Sequence, residues 1–330
     1  MKTVYISHPI LQCGVDILQR ETEVLVGNTA DLVSVQTELK KADALLVRIG
    51  DVRAQLIEKL PKLRVIMRPG VGTDNIDIAA CTRRGIPVAI CPGTNLRSVA
   101  EHTVAMAYAI TKNIVESIKE TNCGNYTTIR SKYAAVELEH KELGVVGFGN
   151  IGRETAKLFN GNGMHINVFD PFISRQTVEA MGYRYFADLK QLLRVCDLVT
   201  LHMPSTPQTK GMFGSSEFAV CKPGMFLVNC ARGDIIQEDA LYEALVSGKL
   251  GGAATDVLCV EPFNTALPLF QLPNFIATPH MAALTKEAAQ RTFTMAATNI
   301  LSLLRGEELP CVVNPEVYQT QAWKNYCSQL

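Results

Sequence analysis

The chain has 330 residues, 47% of them hydrophobic, and its 32 basic side chains balance 32 acidic ones. That length exceeds what one hydrophobic core usually serves, so two domains are expected, and the charge balance argues against nucleic acid as the main partner. No uninterrupted apolar run reaches the roughly 18 residues of a membrane helix, and the N-terminal run from Thr3 to Ser7 has the length of a strand, not of a secretory leader. We therefore expect no leader, no membrane contact and a cytoplasmic location.

Strand-like runs open the chain at Val4 to Ser7, Val24 to Val26, Ala44 to Val47, Val65 to Met67 and Val88 to Ile90, with helical spacing between them at Leu32 to Lys40 and Arg53 to Leu60. This alternation implies a parallel sheet with helices on both faces. Asn95 to Ile118 follows, alanine-rich and without Gly or Pro, and Ser98 three residues before Glu101 is placed to make a capping box. Its apolar residues lie on several faces, which predicts a long helix buried between domains or subunits. Gly124 to Tyr133 reads as a loop reaching a partner subunit, and a homodimer is expected.

Leu143 to Val146 then reads as a buried strand, followed by Gly147-Phe148-Gly149-Asn150-Ile151-Gly152, a helical start at Arg153 to Phe159 and a second strand, Ile166 to Phe169, ending at Asp170. Strand, glycine loop, helix and strand-end acid in this order form a dinucleotide-binding signature. The first glycine permits the tight turn, the second admits the pyrophosphate, and the third lets helix and strand pack closely, while the helix N-terminus favours phosphate charge. Asp170 accepts hydrogen bonds from a ribose and repels a 2′-phosphate, so the expected cofactor is NAD and not NADP, although Arg175 nearby has the charge to hold that phosphate.

After Asp170 the alternation resumes, with strands at Leu198 to His202, Gly224 to Asn229, Gly252 to Thr255 and Phe275 to Thr278 and a long helical stretch at Thr285 to Leu304. The last residues, Tyr318 to Leu330, are polar and read as frayed or loosely packed. The fold expected is α/β, with two doubly wound parallel-sheet domains and a cleft between them. Residues 1–98 plus 291–330 form the substrate domain and residues 99–290 the dinucleotide-binding domain.

Ligands bind at strand carboxyl ends in such sheets, and three later segments ending strands carry reactive side chains. Arg232 offers a fork of donors for a carboxylate or keto oxygen. His280 offers a proton carrier near neutral pH, and Glu261 an anion to orient and stabilise it. Hydride transfer needs such a separate proton carrier. His202 also sits at a strand end, where a local hydrogen bond and a cofactor contact are equally open. The ten cysteines include no CxxC pair or Cys/His cluster at zinc spacing, so no metal is expected, and residues such as Cys91, Cys196, Cys221 and Cys230 read as reduced apolar fillers. Cys230, two residues from Arg232, is the exception, placed where oxidation could inhibit, and the sequence leaves open whether it is redox-regulated.

Val228-Asn229-Cys230-Ala231-Arg232-Gly233, Asp256-Val257 with Glu261-Pro262, Thr278-Pro279-His280 and the stretch Arg68 to Asp77 together resemble the D-isomer-specific 2-hydroxyacid dehydrogenase family over residues 40 to 314. The resemblance implies a catalytic triad at Arg232, Glu261 and His280, and backbone amides at Val71 and Gly72 that hold a substrate carboxylate. It also implies nicotinamide contacts from Asp256 and the Cys230-Ala231 backbone, and an adenine side lined by Met203 and Pro204. Formate dehydrogenases of this fold lack a glutamate in the role of Glu261, so a 2-hydroxyacid or 2-ketoacid is the implied small-molecule substrate.

Val47-Arg48, Arg68 and Phe169-Asp170-Pro171 look most like the phosphoglycerate dehydrogenase branch, in which Arg48 and Arg68 would hold a phosphate; the alternative is that they pair with neighbouring acids. Against that branch, no regulatory domain is expected after residue 314, and Pro69 and Thr73 alter the carboxylate loop. The rival reading of the same motifs is an NAD-responsive scaffold like the C-terminal-binding co-repressors.

Overall fold

The computed structural model describes residues 1–132 and 135–330. It divides into two compact units, residues 1–95 with 285–330, and residues 96–284. The divisions fall a few residues from the expected 98/99 and 290/291, so that two helices remain whole within single units.

In the first unit β1 (Lys2–Ile6), α1 (Gln12–Leu18), β2 (Thr22–Val26), α2 (Gln36–Leu39), β3 (Ala44–Leu46), α3 (Ala54–Glu58), β4 (Val65–Met67), α4 (Ile78–Arg83) and β5 (Val88–Ala89) alternate. The strands form one parallel sheet in the order β2-β1-β3-β4-β5. β3 and β4 are wholly apolar and wholly buried, as strands covered by helices on both faces must be. Successive side chains enter different cores: Val4 and Ile6 of β1 join one cluster and Tyr5 the other.

The second unit begins with α5 (Leu96–Thr111), α6 (Ile114–Asn122) and α7 (Tyr126–Arg130), followed by β6 (Glu142–Val146), α8 (Asn150–Gly161), β7 (His165–Phe169), α9 (Arg175–Glu179), β8 (Arg184–Tyr185), α10 (Leu189–Val195) and β9 (Leu198–Leu201). It continues through α11 (Ser215–Val220), β10 (Met225–Asn229), α12 (Glu238–Val246), β11 (Leu250–Thr255) and β12 (Phe275–Ala277). Its seven strands are parallel in the order β12-β11-β10-β9-β6-β7-β8. Chain order reverses between β6 and β9, the switch point at which a doubly wound sheet leaves a crevice at its carboxyl edge. The chain then returns to the first unit as α13 (Lys286–Leu304) and α14 (Gln321–Cys327).

Four expectations are corrected. The single helix expected over Asn95 to Ile118 is two, because Asn113 adopts φ +54° between α5 and α6, a left-handed state that asparagine tolerates and a helix does not. Ser98 lies inside α5 and so is no N-cap; the buried face of α5 is explained by packing on α8, β10 and β11 of its own unit. The segment expected as a loop from Gly124 carries α7, with Tyr133 outside the described residues. The last segment is not frayed: Trp323 and Tyr326 are buried in the first unit's core with Tyr318, and Lys2 Nζ donates to the Tyr326 hydroxyl at 2.7 Å. Its apolar aromatics, spaced three apart, outweigh its polar average. Among the described residues no helix is long and apolar enough to cross a membrane, and no group of three His, Cys, Asp or Glu is placed to hold a metal.

Candidate active site

Strand register assembles the site. Phe169, Val146, Leu201, Asn229, Thr255 and Ala277 pair side by side across β7, β6, β9, β10, β11 and β12. With neighbouring strands about 4.8 Å apart, this row runs roughly 24 Å along one edge of the sheet. The residues immediately after it are Asp170, Gly147, His202, Cys230, Asp256 and Thr278. The glycine loop and Asp170 thus stand toward one end, and the loops bearing Arg232, Glu261 and His280 toward the other.

At the glycine loop, Gly147 has φ +92°, a conformation that favours glycine. A Cβ on Gly152 would lie 2.1 Å from the Gly147 carbonyl oxygen, whereas a Cβ on Gly149 would meet nothing within 4 Å. Helix and turn therefore touch at Gly152, while space is left open at Gly149. Gly149 caps α8 without a side-chain hydrogen bond, so the first-turn N–H groups keep no intrahelical or capping acceptor and present donors to an anion.

Asp170 is fixed beside this loop, its two oxygens accepting from the backbone N–H of Phe148 at 2.7 Å and of Phe172 at 2.8 Å. Arg175 is engaged elsewhere: it pairs with Glu179 at 3.1 Å and lies over the Tyr185 ring. The residues present fit a dinucleotide whose ribose is unphosphorylated.

His280 Nδ1 lies 2.8 Å from Glu261 Oε2. A carboxylate only accepts, so Nδ1 carries a proton, and in the neutral ring Nε2 holds a lone pair for an incoming one. Both side chains are substantially exposed, and such a pair contributes at most about 1 kcal/mol to stability; its value lies in orientation and tautomer. His280 has φ +50°, which costs an L-residue about 1–2 kcal/mol.

The buried Asp256 offsets that cost. Its carboxylate accepts from the N–H groups of Met281 at 2.9 Å and Ala282 at 2.8 Å, and from the Thr278 hydroxyl at 2.6 Å, while its own carbonyl accepts from His280 N at 2.8 Å. Hydrogen bonds to a charged group contribute about 1.5–3 kcal/mol each, enough to hold the loop in its left-handed turn. Burial alone would push the Asp256 carboxyl up, yet the nearby His102 ring and hydrogen bonds from Thr278, Met281 and Ala282 hold it below the ordinary carboxylate range. The structure thus makes Asp256 the support of the His280 loop.

Arg232 follows a tight turn in which Asn229 Nδ2 donates to the Arg232 carbonyl and Asn229 Oδ1 accepts from Ala231 N; its own Nη1 donates to the Ala231 carbonyl at 2.7 Å. The His202 ring is 3.1 Å from the Thr200 hydroxyl. Although part of the residue reaches solvent, its imidazole is packed by protein, and burial pushes it down to about 3, so the ring is neutral and has a local partner. Met203 packs on the core and Pro204 is exposed, its carbonyl taken by the Thr209 hydroxyl.

Burial pushes the Cys230 thiol up to about 12, so little of it is thiolate near neutral pH. Sequence reading missed His102. It lies on the stripe Val99, Thr103, Met106 and Ile110 of α5, where a polar residue at helical spacing among apolar ones was the available signal.

In the first unit, Ile6, Leu46, Met67 and Ala89 form the corresponding row. Arg68, just past it, donates to the carbonyls of Val47, Arg48 and Gly72 and so braces the loop. Among the described residues the amides of Val71 and Gly72 have no acceptor, and Val71 is exposed. Arg48 is half-buried and donates from Nη1 to the Pro9 carbonyl at 2.8 Å.

Comparison with known proteins finds relatives over most of the chain. Residues 104–282, more than half the chain, match the model of the D-isomer specific 2-hydroxyacid dehydrogenase, NAD binding domain. The chain is 39% identical over 326 residues to a D-3-phosphoglycerate dehydrogenase of Methanocaldococcus jannaschii, covering 98% of this chain and 62% of that one. It is 36% identical over 315 residues to a protein of the same name from Archaeoglobus fulgidus, covering 94% and 59%. The chain thus spans about three fifths of the length of these relatives. Among solved structures, Aquifex aeolicus D-lactate dehydrogenase complexed with NAD and lactic acid superposes with a TM-score of 0.82 at 28% identity, covering 93% of this chain and 96% of that one.

Proposed function

The chain belongs to the D-isomer specific 2-hydroxyacid dehydrogenase family, and we propose that it is an NAD-dependent dehydrogenase interconverting a D-2-hydroxyacid and its 2-ketoacid. The observation that carries this reading is the Glu261–His280 pair, 2.8 Å apart, on the sheet edge that also bears the glycine loop and Asp170. NAD, when bound, supplies the hydride acceptor or donor. The amides of Gly149, Asn150 and Ile151 would hold its pyrophosphate and Asp170 its adenosine ribose. Met203, Pro204 and His202 would flank the adenine side, and Cys230, Ala231 and Asp256 the nicotinamide side.

Toward the substrate, Arg232 polarises the keto or hydroxyl oxygen with its donor fork. His280 Nε2 takes the hydroxyl proton in oxidation and returns it in reduction, and Glu261 stabilises the imidazolium in between. From the first unit, the Val71 and Gly72 amides are assigned to the carboxylate, with Arg68 bracing their loop, and Arg48 to an anionic tail. The names of the relatives make 3-phosphoglycerate the first candidate. A homodimer in the cytoplasm is part of the proposal.

The test is NADH oxidation with phosphohydroxypyruvate, hydroxypyruvate, glyoxylate, pyruvate and 2-oxoglutarate. Turnover of at least one is expected, and phosphohydroxypyruvate should outrank hydroxypyruvate if Arg48 holds a phosphate. Turnover of none would favour the scaffold reading, which the dehydrogenase names of the relatives do not support. Asp170→Ala is expected to weaken NAD about tenfold or more, the loss of one charged hydrogen bond, and to narrow its preference over NADP; titration of both cofactors measures it, and an unchanged ratio would remove Asp170 from selectivity.

A further inference from the structure

We propose that His102 on α5 is a positioning residue for the proton-carrying loop, acting through Thr278 and Asp256 on the backbone that presents His280. His102 Nε2 lies 3.0 Å from the Thr278 hydroxyl oxygen and 3.5 Å from Asp256 Oδ1. Thr278 has one hydroxyl proton and gives it to Asp256 at 2.6 Å; the Met106 sulfur at 3.9 Å is too weak an acceptor to compete. The Thr278 oxygen must then accept from His102, which places the proton on Nε2.

A directed chain results, from the His102 N–H to the Thr278 hydroxyl to the Asp256 carboxylate. Donors in such a chain polarise one another and strengthen its final bond. The carboxylate in turn clamps the amides of Met281 and Ala282, the two residues following His280. Neither His102 nor Thr278 needs to touch substrate for this.

The test pairs kinetics with NMR. Only the kinetic arm rests on the activity proposed above. In protein without ketoacid, His102→Ala is expected to shift the Met281 and Ala282 amide resonances and the His280 ring signals. The kinetic arm should show kcat falling about tenfold with KM within about twofold, the signature of a misplaced proton carrier and not of lost binding. His102→Gln, which keeps a donor near the Nε2 position, should restore both. If the alanine variant does not fold, Thr278→Val removes the bridging hydroxyl and should give the same shifts and the same loss. Unmoved amide and ring signals, or a glutamine variant no better than alanine, would overturn the proposal. Shifted resonances in a protein that turns over no ketoacid would sink the activity and leave the positioning role standing.

Discussion

His280→Ala is expected to lower turnover about 10²–10⁴-fold, the usual contribution of a positioned acid-base group, while NAD affinity stays within about threefold of the unaltered protein. The asymmetry follows from the position of the residue. His280 lies past β12, at the far end of the row from Asp170 and the glycine loop, so its ring is not among the groups assigned to the pyrophosphate or the ribose. Its loop is held by backbone hydrogen bonds to Asp256, which an alanine retains, so the loss should fall on proton transfer and not on folding. Steady-state kinetics in both directions, with cofactor titration by fluorescence, would measure it. Equal turnover would remove His280 from the chemistry, and a matching loss of NAD affinity would mean that the substitution disturbs the cofactor site.

The second large effect should separate two glycines of one loop. Gly149→Ala places a methyl where no protein atom lies within 4 Å, on a backbone with φ −70° that alanine adopts freely. Thermal stability should therefore stay within about 1 °C, whereas NAD affinity should fall more than about tenfold, because the methyl fills the space assigned to the pyrophosphate. Gly152→Ala places its methyl 2.1 Å from the Gly147 carbonyl. Helix and turn must then part, and stability should fall by about 1–3 kcal/mol along with cofactor affinity. Calorimetric melting and NAD titration of both variants read the outcome. An alanine at 149 that binds NAD normally would show that the cofactor does not approach the backbone there.

Much of this was legible in the chain itself. Alternating apolar runs specify buried parallel strands, because a sheet covered on both faces requires them, and the strand positions read from the sequence lie within a few residues of those in the structure. The glycine spacing identified the phosphate loop because a close helix-turn approach and a turn with positive φ are local demands that only glycine meets cheaply. The break at Asn113 and the ordered C-terminal aromatics were not legible. One depends on a single residue's choice of a left-handed backbone state, and the other on a distant core that accepts Trp323 and Tyr326.

The candidate site divides in the same way. Arg232, Glu261 and His280 could be named as candidates from motifs, since hydride transfer with proton relay would call for those side-chain types whatever the surroundings. The sequence by itself also determined that the protein has two α/β units and a dinucleotide loop. Only the tertiary structure decided that burial raises the Cys230 thiol, that Arg68 braces its loop, that Asp256 clamps the turn bearing His280 and that His102 stands behind it. Each of those depends on burial or on a hydrogen bond between residues far apart in the chain, and neither quantity exists until strand register and helix packing have set which groups meet.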